Sequence, residues 1–228
     1  MINGIDVASF QSEVYATSGL DYVFVKATEG TSYVNPHMAK QAAVARTAGL
    51  GLGFYHFLHP GNVKAQAQYF VRVATSLPGD MLVCDWETVP GGTGATNAEK
   101  DLFIQTVKEL RPTGHRVGLY CNRDYWINRD HTSYCGDFLW IADPGIPAGK
   151  PRIKHAWTFH QCAIKGGIDQ DVANFASRAD LRKWCGYADP VKTPAPTPPP
   201  PATEPRTLGQ LDRAVSAIET KLGLPHLR

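Results

Sequence analysis

The sequence predicts an α/β fold, and within that class a (β/α) barrel of about eight strands rather than an open sheet. Three observations carry the prediction. Short runs rich in Val, Ile, Phe, Tyr and Leu recur through the first 185 residues, stretches of helical period separate them, and acids stand at the ends of three runs. The runs cover 2–7, 22–27, 51–57, 81–86, 116–121, 138–142, 155–161 and 167–172. Their alternation with helices argues for a parallel sheet. No run is followed by G-x-G-x-x-G; Gly49, Gly51 and Gly53 precede and enter a strand, where a turn explains them, so a dinucleotide fold is not indicated.

The helices between the runs carry their own signals. Asn35 is placed to cap one, with Pro36 at its first position and Gly49 and Gly51 at its exit. A second, from Asn62 to about Thr75, puts Val63, Ala67, Phe70, Val71 and Ala74 on one face, the stripe of a helix packed on a sheet. Thr96 and Glu99 form a capping box ahead of Phe103, Val107 and Leu110.

Bulk properties narrow the partners. The formal charge is +2, and Lys and Arg are scattered among acids, so no nucleic-acid partner is expected. No segment approaches 18 uninterrupted apolar residues and residues 1–11 lack the regions of a signal peptide, so we expect no membrane association and synthesis in a cytoplasm. Five cysteines without a C-x-x-C pair suggest buried thiols rather than disulfides or zinc. No cofactor is expected.

Three segments follow. Residues 1–186 form the barrel. Residues 187–206 form a Pro-rich linker, with eight prolines among the 16 residues from 190 to 205. Residues 207–228 form an amphipathic helix in which Leu208, Leu211, Val215, Ile218 and Leu222 make an a/d seam ended by Gly223 and Pro225. Two heptads are marginal as a lone helix, so the seam must be buried, either in a homo-oligomer or by docking onto another surface.

The sharpest local feature is Val83-Cys84-Asp85-Trp86-Glu87, an apolar strand ending in two acids. Strand alternation sends Asp85 and Glu87 to one face and Trp86 to the other. Two close carboxylates cannot both ionise freely, so one should hold a proton near neutral pH, as a general acid requires. Asp6 ends the first run and Asp169 is expected to end the last or nearly so. In a closed barrel these runs are neighbours, and carboxylates at the carboxyl ends of strands one, four and eight converge on the top face. Four converging acids without a His pair fit a glycosidase or a hard-cation site. Tyr55, Tyr120, Trp140 and Trp157 near those ends favour sugar. His56 and His59, at i and i+3 in an extended segment, do not make a metal site.

Several longer motifs then combine: Gly4-Ile5-Asp6-Val7-Ala8-Ser9-Phe10-Gln11, Phe24-Val25-Lys26-Ala27-Thr28-Glu29-Gly30, Gly53-Phe54-Tyr55-His56-Phe57, Asp85-Trp86-Glu87, Gly118-Leu119-Tyr120, Leu139-Trp140-Ile141-Ala142 and Ile168-Asp169-Gln170-Asp171-Val172. In order and spacing the chain resembles glycoside hydrolase family 25, the Chalaropsis-type lysozymes, over about residues 1 to 180. The resemblance implies an irregular, flattened barrel that hydrolyses the β-1,4 bond between N-acetylmuramic acid and N-acetylglucosamine in peptidoglycan. It implies Glu87 as proton donor, Asp6, Asp85 and Asp169 as acidic companions, and Tyr55, Lys26, Tyr120, Trp140 and Gln161 in the sugar cleft. The sequence departs from the family pattern at Phe10, where Trp is usual, and at Phe159-His160-Gln161-Cys162. It also offers two terminal aspartates, of which Asp169 is the direct match and Asp171 the reserve. The order of barrel, linker and small C-terminal element resembles a bacteriophage endolysin. The competing classes are a non-catalytic glycan-binding barrel and a metal-dependent hydrolase or deacetylase.

Overall fold

In the computed structural model, which describes residues 1–187, β1 (Ile2–Val7) pairs with β2 (Tyr22–Glu29) in parallel and closes the sheet. From β2 the sheet runs through β4 (Gly51–Phe57), β5 (Met81–Asp85), β6 (Arg116–Asn122), β7 (Leu139–Ala142), β8 (Phe159–Lys165) and β9 (Ile168–Ala173), and returns to β1. The result is a closed barrel of eight strands, as the sequence predicts, with the two-residue β3 (Tyr33–Val34) hydrogen-bonded to the rim of β2. The Pro-rich stretch and the helix expected over 207–228 lie outside the described residues.

Period-two alternation sorts the side chains into two cores. Val23, Val25, Leu52, Phe54, Leu82, Cys84, Leu119 and Ile141 face outward, under the helices. Tyr22, Phe24, Met81, Val83, Phe138, Trp140 and Phe159 fill the barrel. Phe24 stacks on Trp140 with ring centroids 4.2 Å apart and meets Phe159 edge-on at 5.0 Å. Such rings fit because glycine stands opposite them: a Cβ at Gly4 would enter the Tyr22 ring, and one at Gly53 the Phe24 ring. Aromatic strands and glycine strands are therefore complementary halves of one packing solution.

The covering helices are α1 (Met38–Thr47), α2 (Val63–Val73), α3 (Asn97–Leu110) and α4 (Arg178–Cys185). At α3 the capping box forms as expected, with Thr96 Oγ1 accepting from the Glu99 N–H and Glu99 Oε2 accepting from the Thr96 N–H at 2.7 Å. Thr96→Ala should cost about 1 kcal/mol in urea unfolding. At α1 the cap falls on His37, not Asn35. The Asn35 side chain accepts from the His37 N–H and donates to the Lys26 carbonyl, so it fastens the approach to α1 onto β2 instead of capping it.

Two strand assignments are corrected. The seventh barrel strand covers Phe159–Lys165, four residues later than expected, and the sheet is mixed because β9 runs antiparallel to both β8 and β1. Only Gly166 and Gly167, both at positive φ, separate β8 from β9. That is a hairpin turn, far too short for a parallel crossover. Reversing β9 places its amino end at the top of the barrel, so Asp169 reaches the top face from the start of its strand rather than its end.

His56 is a core residue. It stacks on Phe103 at 4.9 Å and sits between the Thr28 hydroxyl and Gln66 Oε1. Gln66 Nε2 donates to the His59 and Gly61 carbonyls, so Oε1 is the acceptor, His56 Nε2 carries the hydrogen, and Nδ1 accepts from Thr28. Burial pushes the imidazole pKa down to about 3. Below an unfolded value near 6.5 the unfolded chain takes up a proton that the folded chain refuses. This contribution to stability is therefore present above that pH and is lost as the pH falls toward 3. Nitrogen NMR should record the Nε2–H tautomer with no titration of this ring above pH 4; a ring that titrates normally would contradict the packing.

Candidate active site

The parallel strands end at one rim, and there a cavity of about 370 Å³ opens. Glu87, Asp85, Asp6, Asp169, Tyr55, Lys26, Tyr120, Trp140 and Gln161 all line it, so these nine residues expected in the cleft are brought to one place. Adjacent register positions account for this. Asp6 lies opposite Asp169, Lys26 opposite Tyr55, Asp85 opposite Tyr120, and Tyr120 opposite Trp140. Trp86 points the other way, buried against Tyr125 with its indole N–H on the Ala95 carbonyl at 2.7 Å.

Burial governs the acids. It raises Asp85 well above the usual carboxylate range, the Glu87 charge raises it further, and only Lys26 opposes. Glu87 is raised by burial and by Asp169, again against Lys26. Asp85 Oδ1 has no hydrogen-bond partner among the described residues, which disfavours its ionised form further. The two carboxyls titrate as an interacting pair, both held above the usual carboxylate range and Asp85 the more strongly. Of the two, Glu87 stands nearer the opening and Asp85 beneath it. Burial also raises Asp6 and Asp169, and the charges of Asp171 and Asp169 raise Asp6 further.

Polar contacts fix the floor. The Tyr120 hydroxyl donates to Gln161 Oε1 at 2.9 Å, and Gln161 Nε2 donates to Asp6 Oδ2 at 2.8 Å. Tyr120 and Tyr55 pack on Trp140 with centroids 4.4 and 6.2 Å apart. Lys26 bonds Glu29 at 2.6 Å and lies 4.9 Å over the Phe57 ring, and Glu29 continues to His59 at 2.9 Å. The cation that faces both catalytic candidates is thus held from behind.

The structure separates the two terminal aspartates. Asp169 lines the cavity, whereas Asp171 lies below it, 2% exposed, with Oδ1 accepting from the Trp140 indole N–H at 2.8 Å. Trp157 does not line the cavity; it sits half-buried beside His160. Four lining residues were missed in the sequence: Ala8, Phe10, Gln11 and Phe57. Phe10 is 91% exposed at the rim, and Gln11 links the β1 exit to the hairpin through the Gly167 carbonyl at 3.0 Å. Their signal was available, since Phe10, Gln11 and Phe57 each sit within a motif quoted above. Among the described residues, no three His, Cys, Asp or Glu side chains converge as metal ligands, and no helix is long and apolar enough to cross a membrane.

Comparison with known proteins agrees with this architecture. Lysozyme M1 of Streptomyces globisporus is 29% identical over 201 residues, covering 75% of this chain and 66% of that protein. The N,O-diacetylmuramidase of Chalaropsis is 34% identical over 143 residues, covering 55% and 68%. The chain thus spans about two thirds of the length of these relatives. A family GH25 lysozyme from Aspergillus fumigatus has the same fold, with a TM-score of 0.67 at 23% identity over 81% of this chain and 98% of that one. The family model for glycosyl hydrolases family 25 matches residues 5–171, from β1 to the last barrel strand. The chain belongs to glycosyl hydrolase family 25 and is a glycosidase.

Proposed function

We propose that the chain is a muramidase that cleaves the β-1,4 bond between N-acetylmuramic acid and N-acetylglucosamine in peptidoglycan. The observation that carries this reading is the Asp85–Glu87 pair, Asp85 buried at the end of β5 and Glu87 half-buried two residues beyond, above a floor of Tyr55, Tyr120 and Trp140. Glu87, protonated, gives its proton to the glycosidic oxygen as the bond breaks, and ionised carboxylate around it stabilises the oxocarbenium-like sugar, with Asp169, the least buried of the companion acids, the foremost candidate. The aromatic faces and the amide of Gln161 hold the rings, and Lys26 limits how far the acids' pKa values rise. The named activities of the two relatives agree with this substrate.

We further propose that the protein serves a bacteriophage as an endolysin. The support is the order of elements in the sequence, a catalytic barrel followed by a Pro-rich stretch and a short apolar seam.

The decisive experiment is mass spectrometry of fragments released from purified peptidoglycan by the wild type and by Glu87→Gln, with and without a chelator. New reducing N-acetylmuramic acid ends, absent with the variant and indifferent to chelator, are expected. Bound but uncut glycan would mark a binding module, and chelator-sensitive release would mark a metal-dependent hydrolase.

A further inference from the structure

Glu87 lies beyond the sheet that positions most of the other rim residues. β5 ends at Asp85, and its pairing with β6 gives out at the Trp86 N–H, which donates to the Tyr120 carbonyl at 2.9 Å. The residues on either side of Glu87 are both held by Tyr125. Its ring meets the Trp86 indole edge-on with centroids 4.9 Å apart, and its hydroxyl shares a hydrogen bond with the Thr88 hydroxyl at 2.9 Å. The chain then loops back and closes on the same place. A Cβ at Gly94 would run into both the Tyr125 hydroxyl and the Glu87 carbonyl, and the next residue, Ala95, accepts from the Trp86 indole N–H.

Tyr125 is itself fixed, and only 2% of it is exposed. It opens a π-helical turn, Tyr125–Arg129, a rare geometry that recurs at functional sites. Its N–H donates to Asn122 Oδ1 at the end of β6 at 2.9 Å, and its carbonyl accepts from the Asp130 N–H at 2.8 Å. Asp130 bonds the Lys100 ammonium at 2.6 Å, and that ammonium lies 5.4 Å from the centre of the Trp86 ring. The chain of contacts that leaves Trp86 at Tyr125 therefore returns to it.

We propose that Tyr125 is a positioning residue of the cleft: by holding Trp86 with its ring and Thr88 with its hydroxyl, it fixes Glu87 between them. This rests on the reading of Glu87 as proton donor. Tyr125 does not line the cavity and acts only through Glu87. A general acid must stand within hydrogen-bond reach of the glycosidic oxygen, and a misplacement of about 1 Å can cost about 100-fold in rate.

Tyr125→Phe tests this, because it keeps the ring on Trp86 and removes only the bond to Thr88. With peptidoglycan fragments as substrate, kcat is expected to fall about tenfold and KM to change less than about twofold. Thr88→Val should show the same loss, Thr88→Ser should keep the wild-type rate, and the double variant should be no slower than either single one. Thr88 is exposed, so its Val and Ser variants decide the matter should Tyr125→Phe fold poorly. Carbon NMR adds a readout that needs no activity. The Glu87 carboxyl, identified as the resonance missing from Glu87→Gln, should titrate closer to an exposed glutamate in Tyr125→Phe and Thr88→Val, since a carboxyl free to swing reaches water. The groups that face it, Lys26 on β2, Tyr55 on β4, Asp85 on β5, Tyr120 on β6 and Asp169 on β9, are the same in all these proteins. A kcat within about twofold of wild type in both single variants, losses that multiply in the double variant, or an unchanged Glu87 titration would overturn the proposal. Full activity in Glu87→Gln alongside a shifted titration would instead sink the muramidase role of Glu87 and leave its placement by Tyr125 standing.

Discussion

Glu87→Gln is expected to lower the rate of glycan cleavage by about 100-fold or more, the scale of general acid catalysis. The change keeps the shape of the side chain and its place at the end of β5, so binding should survive and the loss should fall on kcat. Raised by burial and by the Asp169 charge, Glu87 remains protonated where an exposed glutamate would not. Activity should therefore decline as pH rises through that raised value. Asp169→Asn removes the opposing charge and should carry this decline to lower pH. Fragment release measured against pH for the three proteins checks both statements, and a Glu87→Gln enzyme within a few-fold of wild type would remove Glu87 from the role.

Lys100→Met should destabilise the barrel by about 3–5 kcal/mol, measured by urea unfolding at neutral pH. Lys100 is fully buried on α3, and its ammonium bonds Asp130 and Asp101 at 2.6 Å each and the Tyr134 carbonyl at 2.7 Å. Methionine fills most of the space but leaves Asp130, itself buried, with an uncompensated charge. That is the costly half of a broken ion pair. The ammonium also lies 5.4 Å over the Trp86 ring, directly behind the peptide that joins Asp85 to Glu87. A stability loss under about 1 kcal/mol would mean that the Ser133 N–H, which already donates to Asp130 at 2.6 Å, and water suffice to hold the charge.

What could be read in advance follows from which forces are local. The strands of the barrel and the face choice of Asp85, Trp86 and Glu87 rest on alternation, a property of neighbours in sequence, and they were legible. The Thr96–Glu99 box was legible for the same reason. The seventh strand was misplaced because 155–158 carries strand-like residues in a crossover, and nothing in those residues reports where pairing with β7 begins. The antiparallel direction of β9 is signalled only by Gly166-Gly167, a turn too short for a helical crossover, whereas the alternation of strands and helices elsewhere in the chain signals a parallel sheet. The capping signal at Asn35 misled in a different way: its side chain is used for a tertiary bond to β2, and α1 starts from His37, two residues later, without a side-chain cap. At the site, the nine expected residues lie on strands or at their ends, where register delivers them together. Phe10 and Gln11 lie on the loop after β1, whose path no periodicity describes. The burial that divides Asp169 from Asp171 depends on Trp140, 31 positions away from Asp171.

The closure of the barrel gives the molecule a timing device. Gln161 reaches Asp6 across 155 positions, and Gln11 reaches Gly167 across 156. The first strand to leave the ribosome must wait for the last before it finds its second partner, and loop closure on that scale comes late in folding. A nascent chain that has passed β5 already owns Glu87 and Asp85, but it has no Asp169, no closing ladder and no enclosed wall around those acids. Without that enclosure nothing desolvates the carboxyls, and they ionise like any exposed pair. On the muramidase reading proposed above, catalytic competence would arrive with completion of the barrel, and a fragment released early would be chemically silent.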